Sequence, residues 1–378
     1  MITRTVYRED HEMFRATARR FVARECVPRQ AEWDEAGRVD RETWIKAGRE
    51  GLLCTSLSEE YGGGGGDFGH CAVLIEELAA ANVSGPGFSL HSDIIAPYIL
   101  RLGTEEQKRR WLPKCARGEC ILAIAMSEPG AGSDLKAVRT SAVLQGDEYV
   151  INGSKTFISN GLNCDLVVVV AKTDPAAGAK GVSLFLVEAD RPGFKKGRKL
   201  DKIGQNSADT AELFFDDVRI PAANLLGELN KGFIHLMQEL AQERFIIVVG
   251  AASTMEAMLA ETIRYTRERK LFGQSVFDFQ NSKFKLAELK AQTAAMRIMV
   301  DYYLGEHLRR KLTAEEAAIA KLFTTETLCA GLDDMLQLHG GYGYMTEYPI
   351  ARAYADARVT RIYGGTSEVM KELISRGL

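Results

Sequence analysis

Five short β-rich runs fall in one window of this chain, residues 120–219, and helical periodicity occupies the sequence on either side of it. The runs are 141–144, 148–152, 166–171, 182–187 and 211–215, bounded by Gly, Asp or Pro. Strands that cluster in this way argue against a doubly wound parallel sheet, in which strands alternate with helices along the chain. The expected fold class is therefore α+β and multidomain, with helical and β parts segregated along the chain.

The flanks carry the helical signal. Phe14, Ala18, Phe21 and Val22 recur at one-face spacing, and residues 71–81 repeat the pattern. The glycine run 62–66 reads as a loop. Thr104 and Gln107 form an N-cap and capping-box pair. Gly146-Asp147 between two β-rich runs reads as a hairpin turn. Long helices are expected over 283–307 and 314–338. A chain of 378 residues holds two to three domains at about 150 residues each. The expected boundaries are 1–119, 120–228 and 229–378.

Composition excludes several classes. With 46% apolar and 26% charged residues the chain is not disordered or fibrous. A net charge of −3 gives no basic field for nucleic acid. The longest fully apolar runs, 120–126 and 166–171, are far shorter than the roughly 20 residues of a membrane helix, so no membrane insertion is expected. The seven cysteines are scattered and lack C-x-x-C, which reads as reduced thiols in a cytosol-like compartment. The six histidines include no H-x-x-x-H, so no metal is expected. Residues 1–20 lack the apolar core of a signal peptide, residues 375–378 are not a peroxisomal address, and the expected location is cytoplasmic, either a bacterial cytosol or, for an organellar protein, the matrix in its mature form.

Five segments could carry chemistry, and each also has a plain structural reading. In Met126-Ser127-Glu128-Pro129-Gly130-Ala131-Gly132-Ser133, bare glycine backbone could approach an anion or a ring edge, or simply turn. Lys155-Thr156-Phe157-Ile158-Ser159-Asn160-Gly161 could wall a flat cofactor with its aromatic, or end a strand. Arg267 to Gln274 reads as a basic helix end stopped near Gly273, in which Arg269 could clasp a phosphate. Gln337-Leu338-His339-Gly340-Gly341 ends a long helix and could press backbone against a ligand. Arg361-Ile362-Tyr363-Gly364-Gly365-Thr366-Ser367-Glu368 reads as a loop feeding a helix, with Thr366 as N-cap and free amides suited to an anion.

In this order and at these separations the five segments resemble the acyl-CoA dehydrogenase family over essentially the whole chain. The resemblance implies an N-terminal helical domain, a middle β-domain and a C-terminal four-helix bundle, with FAD between the last two and extending to a neighbouring subunit. It implies that Ile124, Met126, Ser127, Gly132 and Ser133 hold the flavin edge, with Ser133 also near the CoA. Phe157, Ile158 and Ser159 would pack on the ring, although many relatives carry Trp where this chain has Phe157. Arg269, Phe272 and Gln280, with Gln337, Gly340 and Gly341, would reach the FAD of the partner subunit. Thr366 and Glu368 would touch its nucleotide portion. The assembly implied is a homotetramer, a dimer of dimers.

The base is the point of departure from the commonest family pattern. Many members carry Glu directly after Ile-Tyr in the last segment, and here that position is Gly364. Glu243, at the border of the apolar run 245–249, would be desolvated and raised toward a useful pKa, or would be an ordinary surface glutamate. The Glu243-Arg244 pair together with glycine at 364 resembles the long-chain and isovaleryl branches, which place the base on this helix. The resemblance then assigns Glu243 as base, and Arg244, Gly364 and Gly365 to the substrate. The Gly364 amide would stabilise charge on the thioester oxygen.

The implied activity is FAD-dependent α,β-dehydrogenation of a saturated acyl-CoA in fatty acid β-oxidation. Glu243 takes the pro-R α-proton, trans-2-enoyl-CoA forms, and electrons pass to an electron-transfer flavoprotein. Gly85 to His91 and Tyr363 to Thr366 look most like the long-chain branch, and a long straight acyl chain is expected. The alternatives are an isovaleryl- or medium-chain enzyme, an oxygen-using acyl-CoA oxidase or flavin monooxygenase of the same fold, and a silent helical interaction protein.

Overall fold

The apolar period of the first part closes into α1 (Glu9–Phe21), α2 (Gln30–Ala36), α3 (Arg41–Arg49), α4 (Phe68–Ala80), α5 (Ala96–Leu102) and α6 (Glu105–Ala116) in the computed structural model, which describes residues 4–378. Local chemistry sets their starts. Thr104 Oγ1 accepts from the Gln107 amide at 3.2 Å, and Gln107 Oε1 accepts from the Thr104 amide at 3.0 Å. α1 and α4 use histidine in the same place. His11 Nδ1 accepts from the Arg8 amide at 3.1 Å, and His70 Nδ1 from the Asp67 amide at 3.2 Å.

These histidines and Asp10 bring ligand-type atoms within 4.8 Å of one another. The hydrogen bonds argue against a metal there. Each Nδ1 is an acceptor, so each ring proton sits on Nε2, whereas a metal-bound histidine ordinarily donates its second N–H outward. The pair works as two helix caps.

The middle part holds β1 (Leu122–Ala125), β2 (Ser141–Gln145), β3 (Glu148–Ser159), β4 (Leu166–Lys172), β5 (Val182–Glu188), β6 (Phe194–Lys199), β7 (Thr210–Pro221) and β8 (Leu225–Leu226). Their order is β6-β7-β3-β2-β4-β5-β8, with β1 beside β4. The β1–β4 and β2–β4 pairings are parallel, the latter through the single pair Ser141–Lys172, and the rest are antiparallel. Gly146, at φ +67°, and Asp147 make the expected β2–β3 turn. β4 explains its unbroken apolar run. Leu166, Val168 and Val170 pack toward Tyr98 and Trp111 of α5 and α6, while Val167, Val169 and Ala171 pack toward Leu213 and Phe215 of β7. A strand covered on both faces has no polar side.

The five expected runs become eight strands: β1, β6 and β8 fall outside them, and β3 and β7 are longer than expected. β3 runs on past residue 152 to Ser159, across two register shifts against β7. β6 is built from Phe-Lys-Lys-Gly-Arg-Lys at the sheet edge, where lysines discourage pairing with another chain.

The last part contains α7 (Gly232–Glu268), α8 (Gln280–Leu308), α9 (Ala314–His339), α10 (Pro349–Ala357) and α11 (Ser367–Ser375). Phe245, Val248, Val249, Ala252 and Met255 of α7 form its core with Leu289 and Met296 of α8, Leu328 and Leu332 of α9, and Ile350 of α10. α7 is long and apolar enough to cross a membrane, a feature the run-length argument passes over. More than half of that window, 56%, is buried inside this protein. α7 does not continue to Gly273. It ends at Glu268, and β9 (Lys270–Leu271) and β10 (Gln274–Ser275) form a two-residue hairpin whose tip is Phe272 and Gly273. Both tip residues have positive φ, +50° and +84°, as the tight hairpin turns compatible with strand twist demand.

Candidate active site

The face of α7 opposite its core is a stripe of Glu243, Ile247, Gly250 and Thr254, spaced so that each lies one turn above the last. Glu243 is buried at the foot of this stripe and accepts a hydrogen bond from the Tyr98 hydroxyl of α5 at 2.8 Å. One turn along each helix, Arg101 pairs with Glu239, so α5 and α7 are clasped by two rungs. Burial raises the Glu243 carboxyl to about 7, against the partly offsetting pull of the Tyr98 hydrogen bond and the charges of Arg244 and Arg101. Burial also pushes the Tyr98 phenol well up, so it stays neutral and donates.

Gly364 and Gly365 face this carboxylate's helix in a loop with φ of +62° and +97°. The Arg244 Nε donates to the Gly364 carbonyl at 3.4 Å, and the Lys321 ammonium of α9 donates to the Gly365 carbonyl at 2.6 Å. A Cβ added at Gly364 would lie 2.6 Å from Ile247 Cδ1, one turn above Glu243. Position 364 and the Glu243 stripe thus look into the same space. Thr366 is the expected cap of α11, its hydroxyl accepting from the Val369 amide at 3.3 Å, and Glu368 is exposed in the first turn.

A cavity of about 200 Å³ runs along the stripe, walled by Ile247, Gly250, Thr254, Leu78, Leu328 and Tyr363 among others. Its lining is mainly aliphatic. A Cβ at Gly250 would stand in ordinary contact with Ile75 Cγ2 at 3.7 Å, so the stripe and α4 lie close together here.

The Met126–Ser133 segment leaves β1, in which Ile124 is half-buried, and is supported from below. Glu128 is buried and accepts from Lys155 Nζ at 2.8 Å and from the Arg139 and Thr140 amides at 2.7 and 3.0 Å. Lys155 also reaches the Met126 carbonyl at 3.2 Å, and the Thr156 amide donates to the Ser127 carbonyl at 3.0 Å. Gly132 and Ser133 are left exposed, and nothing lies within 4 Å of a Cβ added at Gly132. Phe157 follows this support with φ +60° and its residue 70% exposed, while Ile158 turns inward and Ser159 outward. A bulky residue held left-handed and uncovered is a strained backbone of the sort kept at ligand contacts.

A second cleft, about 570 Å³, lies at the far end of the helices between Arg269, Gln337, Gly340, Gly341 and Tyr342. The Arg269 guanidinium stands over the Tyr342 ring at 5.4 Å. Among the described residues, none of the Met126–Ser133 or Phe157–Ser159 segments lines this cleft. Phe272, 96% exposed at its hairpin tip, and Gln280, exposed at the start of α8, also stand apart from them. The structure therefore brings Glu243, Arg244, Gly364 and Gly365 together in one protomer. It leaves the Arg269, Phe272, Gln280 and Gln337 group facing outward.

Three residues of this arrangement escape the sequence reading. Tyr98 sits in an ordinary apolar turn and meets its partner 145 residues away. Glu128 lies within a singled-out motif but is given no role there. Lys321 is a single lysine in the run Ala317-Ala318-Ile319-Ala320-Lys321-Leu322-Phe323, a usable signal because lysine is almost never buried without cause.

A helical domain, a β-domain and a helical domain, with a buried carboxylate on the helix that walls a mainly aliphatic cavity and meets a glycine loop, define an enzyme class, and comparison with known proteins agrees. The family models described as acyl-CoA dehydrogenase N-terminal, middle and C-terminal domains match residues 8–119, 123–218 and 230–378, and the chain belongs to this family. It is 52% identical over 375 residues to the long-chain specific acyl-CoA dehydrogenase, mitochondrial, of Sus scrofa, covering 99% of this chain and 87% of that one. A solved acyl-CoA dehydrogenase from Geobacillus kaustophilus superposes with a TM-score of 0.97 at 48% identity, covering 99% of both chains. A glutaryl-CoA dehydrogenase from Mycobacterium smegmatis, solved in complex with FADH2, gives a TM-score of 0.90 at 29% identity, covering 98% of this chain and 95% of that one.

Proposed function

We propose that this member of the family dehydrogenates long, straight-chain acyl-CoA thioesters, with Glu243 as the base. The observation that carries the reading is the buried Glu243 carboxyl at about 7, on the helix stripe that walls an aliphatic cavity and opposite the Gly364 loop. A base works best with its pKa near the working pH, and burial has moved this carboxyl there.

The residues fit FAD. An exposed aromatic on strained backbone, Phe157, stands next to the open Gly132–Ser133 backbone, and Met126, Ser127 and Ile124 lead into that face. Arg269, Gln337, Gly340 and Gly341 offer a guanidinium and bare backbone suited to a pyrophosphate. Their outward position supports the reading that they, with Phe272 and Gln280, serve the partner subunit's FAD in a homo-oligomer. Thr366 and Glu368 would lie near the nucleotide. Bound FAD supplies the acceptor for the hydride that leaves the β-carbon.

The chain's own residues supply the rest. The aliphatic cavity binds the acyl tail and excludes water, gaining roughly 0.8 kcal/mol per buried methylene. The Gly364 and Gly365 amides lack a backbone partner among the described residues and are free to donate to the thioester oxygen, which acidifies the α-carbon. Glu243 accepts the α-proton as the C–H bond breaks, and a trans-2-enoyl-CoA leaves. Arg244 steadies both the Gly364 carbonyl and the carboxylate. The 52% identity to a long-chain enzyme supports the chain-length preference. An electron-transfer flavoprotein is the proposed oxidant of the reduced enzyme. All seven cysteines are free, which suits a reducing, cytoplasmic location.

Turnover of a panel of saturated acyl-CoAs with a dye acceptor, with and without oxygen, tests the reading. kcat/KM is expected to rise with each added carbon to about ten or more, until the tunnel is full, and to be unaffected by oxygen. A maximum at isovaleryl-CoA overturns the chain-length proposal, and turnover that requires oxygen in place of the dye overturns the dehydrogenase proposal.

A further inference from the structure

Lys321 is only 1% exposed, yet among the described residues it forms no ion pair within 4.0 Å. The acid five residues along α9, Glu326, is engaged instead by Arg361 at 2.8 Å and by the Ser367 hydroxyl at 2.6 Å. A buried ammonium with no carboxylate in contact is costly: burial and the nearby Arg244 cation both lower its pKa, and the charge of Glu326 offsets this only in part. The ammonium donates to the Gly365 carbonyl at 2.6 Å. The Lys321 stem passes beneath the loop as well, with Cε 3.6 Å from where a Gly364 Cβ would stand.

Two cations therefore grip two consecutive carbonyls, Arg244 on Gly364 and Lys321 on Gly365. Both glycines are left-handed, and their amides are without a backbone partner. Consecutive N–H groups in such a loop form an anion-binding concavity, and a glycine loop has little stiffness of its own.

We propose that Lys321 is a positioning residue for the reaction: by fixing the Gly365 carbonyl it holds the Gly364–Gly365 amides where the thioester oxygen gathers charge. The proposal rests on the dehydrogenase reading above. Removing the grip leaves the pocket, the base and the flavin contacts in place and lets the donors drift, and a misplacement of about 1 Å can cost a hundredfold in rate.

The test compares wild type, Lys321→Met and Lys321→Arg. Two readouts are needed: the rate of flavin reduction by a saturated acyl-CoA, and the infrared carbonyl stretch of a bound 3-thia-acyl-CoA carrying ¹³C at the thioester. That analogue has sulfur at the β-position and cannot lose a hydride from it. Lys321→Met is expected to lower the rate by about 10- to 100-fold, with analogue affinity within about threefold. Its carbonyl stretch should move back toward the free value, and Lys321→Arg should restore most of both. Where Lys321→Met fails to retain flavin, Lys321→Gln, a weaker neutral donor, is read in the same way. A neutral variant with the wild-type stretch and a rate within twofold overturns the role of Lys321. Wild-type protein whose flavin no acyl-CoA reduces overturns the dehydrogenase reading instead.

Discussion

The Tyr98 hydroxyl donates to Glu243 Oε1 across 2.8 Å, from one buried helix to another. A donor aimed at a carboxylate favours its ionised form, so this bond opposes the effect of burial and helps hold the net pKa at about 7. Tyr98 thus keeps the base available at neutral pH.

Replacing Tyr98 with Phe removes the hydroxyl and keeps the ring. The Glu243 pKa then rises, and the acid limb of the flavin-reduction profile moves to higher pH. Loss of a hydrogen bond to a charged group, about 1.5 kcal/mol or more, corresponds to a shift of about one unit. Stopped-flow rates should fall about tenfold near pH 6.5 and approach wild type by pH 9. An unmoved acid limb contradicts this role.

Gly364 and Ile247 make a second pair that can be tested. A relocated base, Glu243→Gly with Gly364→Glu, should recover part of the lost activity, because both positions open on one space. Two costs limit the recovery. A side chain at φ +62° is strained by roughly 1 kcal/mol or more, and its Cβ meets Ile247 Cδ1 at 2.6 Å. Adding Ile247→Val deletes that methyl and should raise the recovered rate several-fold. A double variant with no recovered activity, unimproved by Ile247→Val, would contradict a shared substrate carbon.

Phe272 gives a prediction about assembly. A phenylalanine 96% exposed at the tip of a tight hairpin is expected to be covered by a second copy of the chain. Wild-type protein should sediment as a flavin-loaded oligomer of at least two chains, and Phe272→Asp should weaken association and flavin retention together. A stable, flavin-loaded wild-type monomer in the ultracentrifuge contradicts the assignment.

The parts of this molecule that are legible in its sequence are those fixed by local chemistry. The Thr104 and Thr366 caps, the Gly146-Asp147 turn and the apolar run of β4 follow from a few adjacent residues. The Glu243 helix and the Gly364 loop are each visible as segments. Their convergence is not, because it depends on how α7 and α11 are carried on α9. Tyr98 is unreadable as a functional residue for the same reason, and Lys321 shows only as a lone lysine in an apolar run with no sign of its partner: the two partners lie across the fold, 145 and 44 residues away. The hairpin at 270–275 is hidden because its strands are two residues long and too short for any period to register. β6 is hidden because a lysine-rich edge carries no apolar alternation.

The central claim, that Glu243 takes the α-proton, is tested most directly by stopped-flow reduction of the bound flavin in Glu243→Gln. The substitution keeps the side chain's size and its capacity to accept from Tyr98, so FAD content and acyl-CoA affinity should remain near wild type. The account predicts a reduction rate lower by about 10² to 10⁴ or more, the usual contribution of a general base. Reduction at the wild-type rate would contradict it.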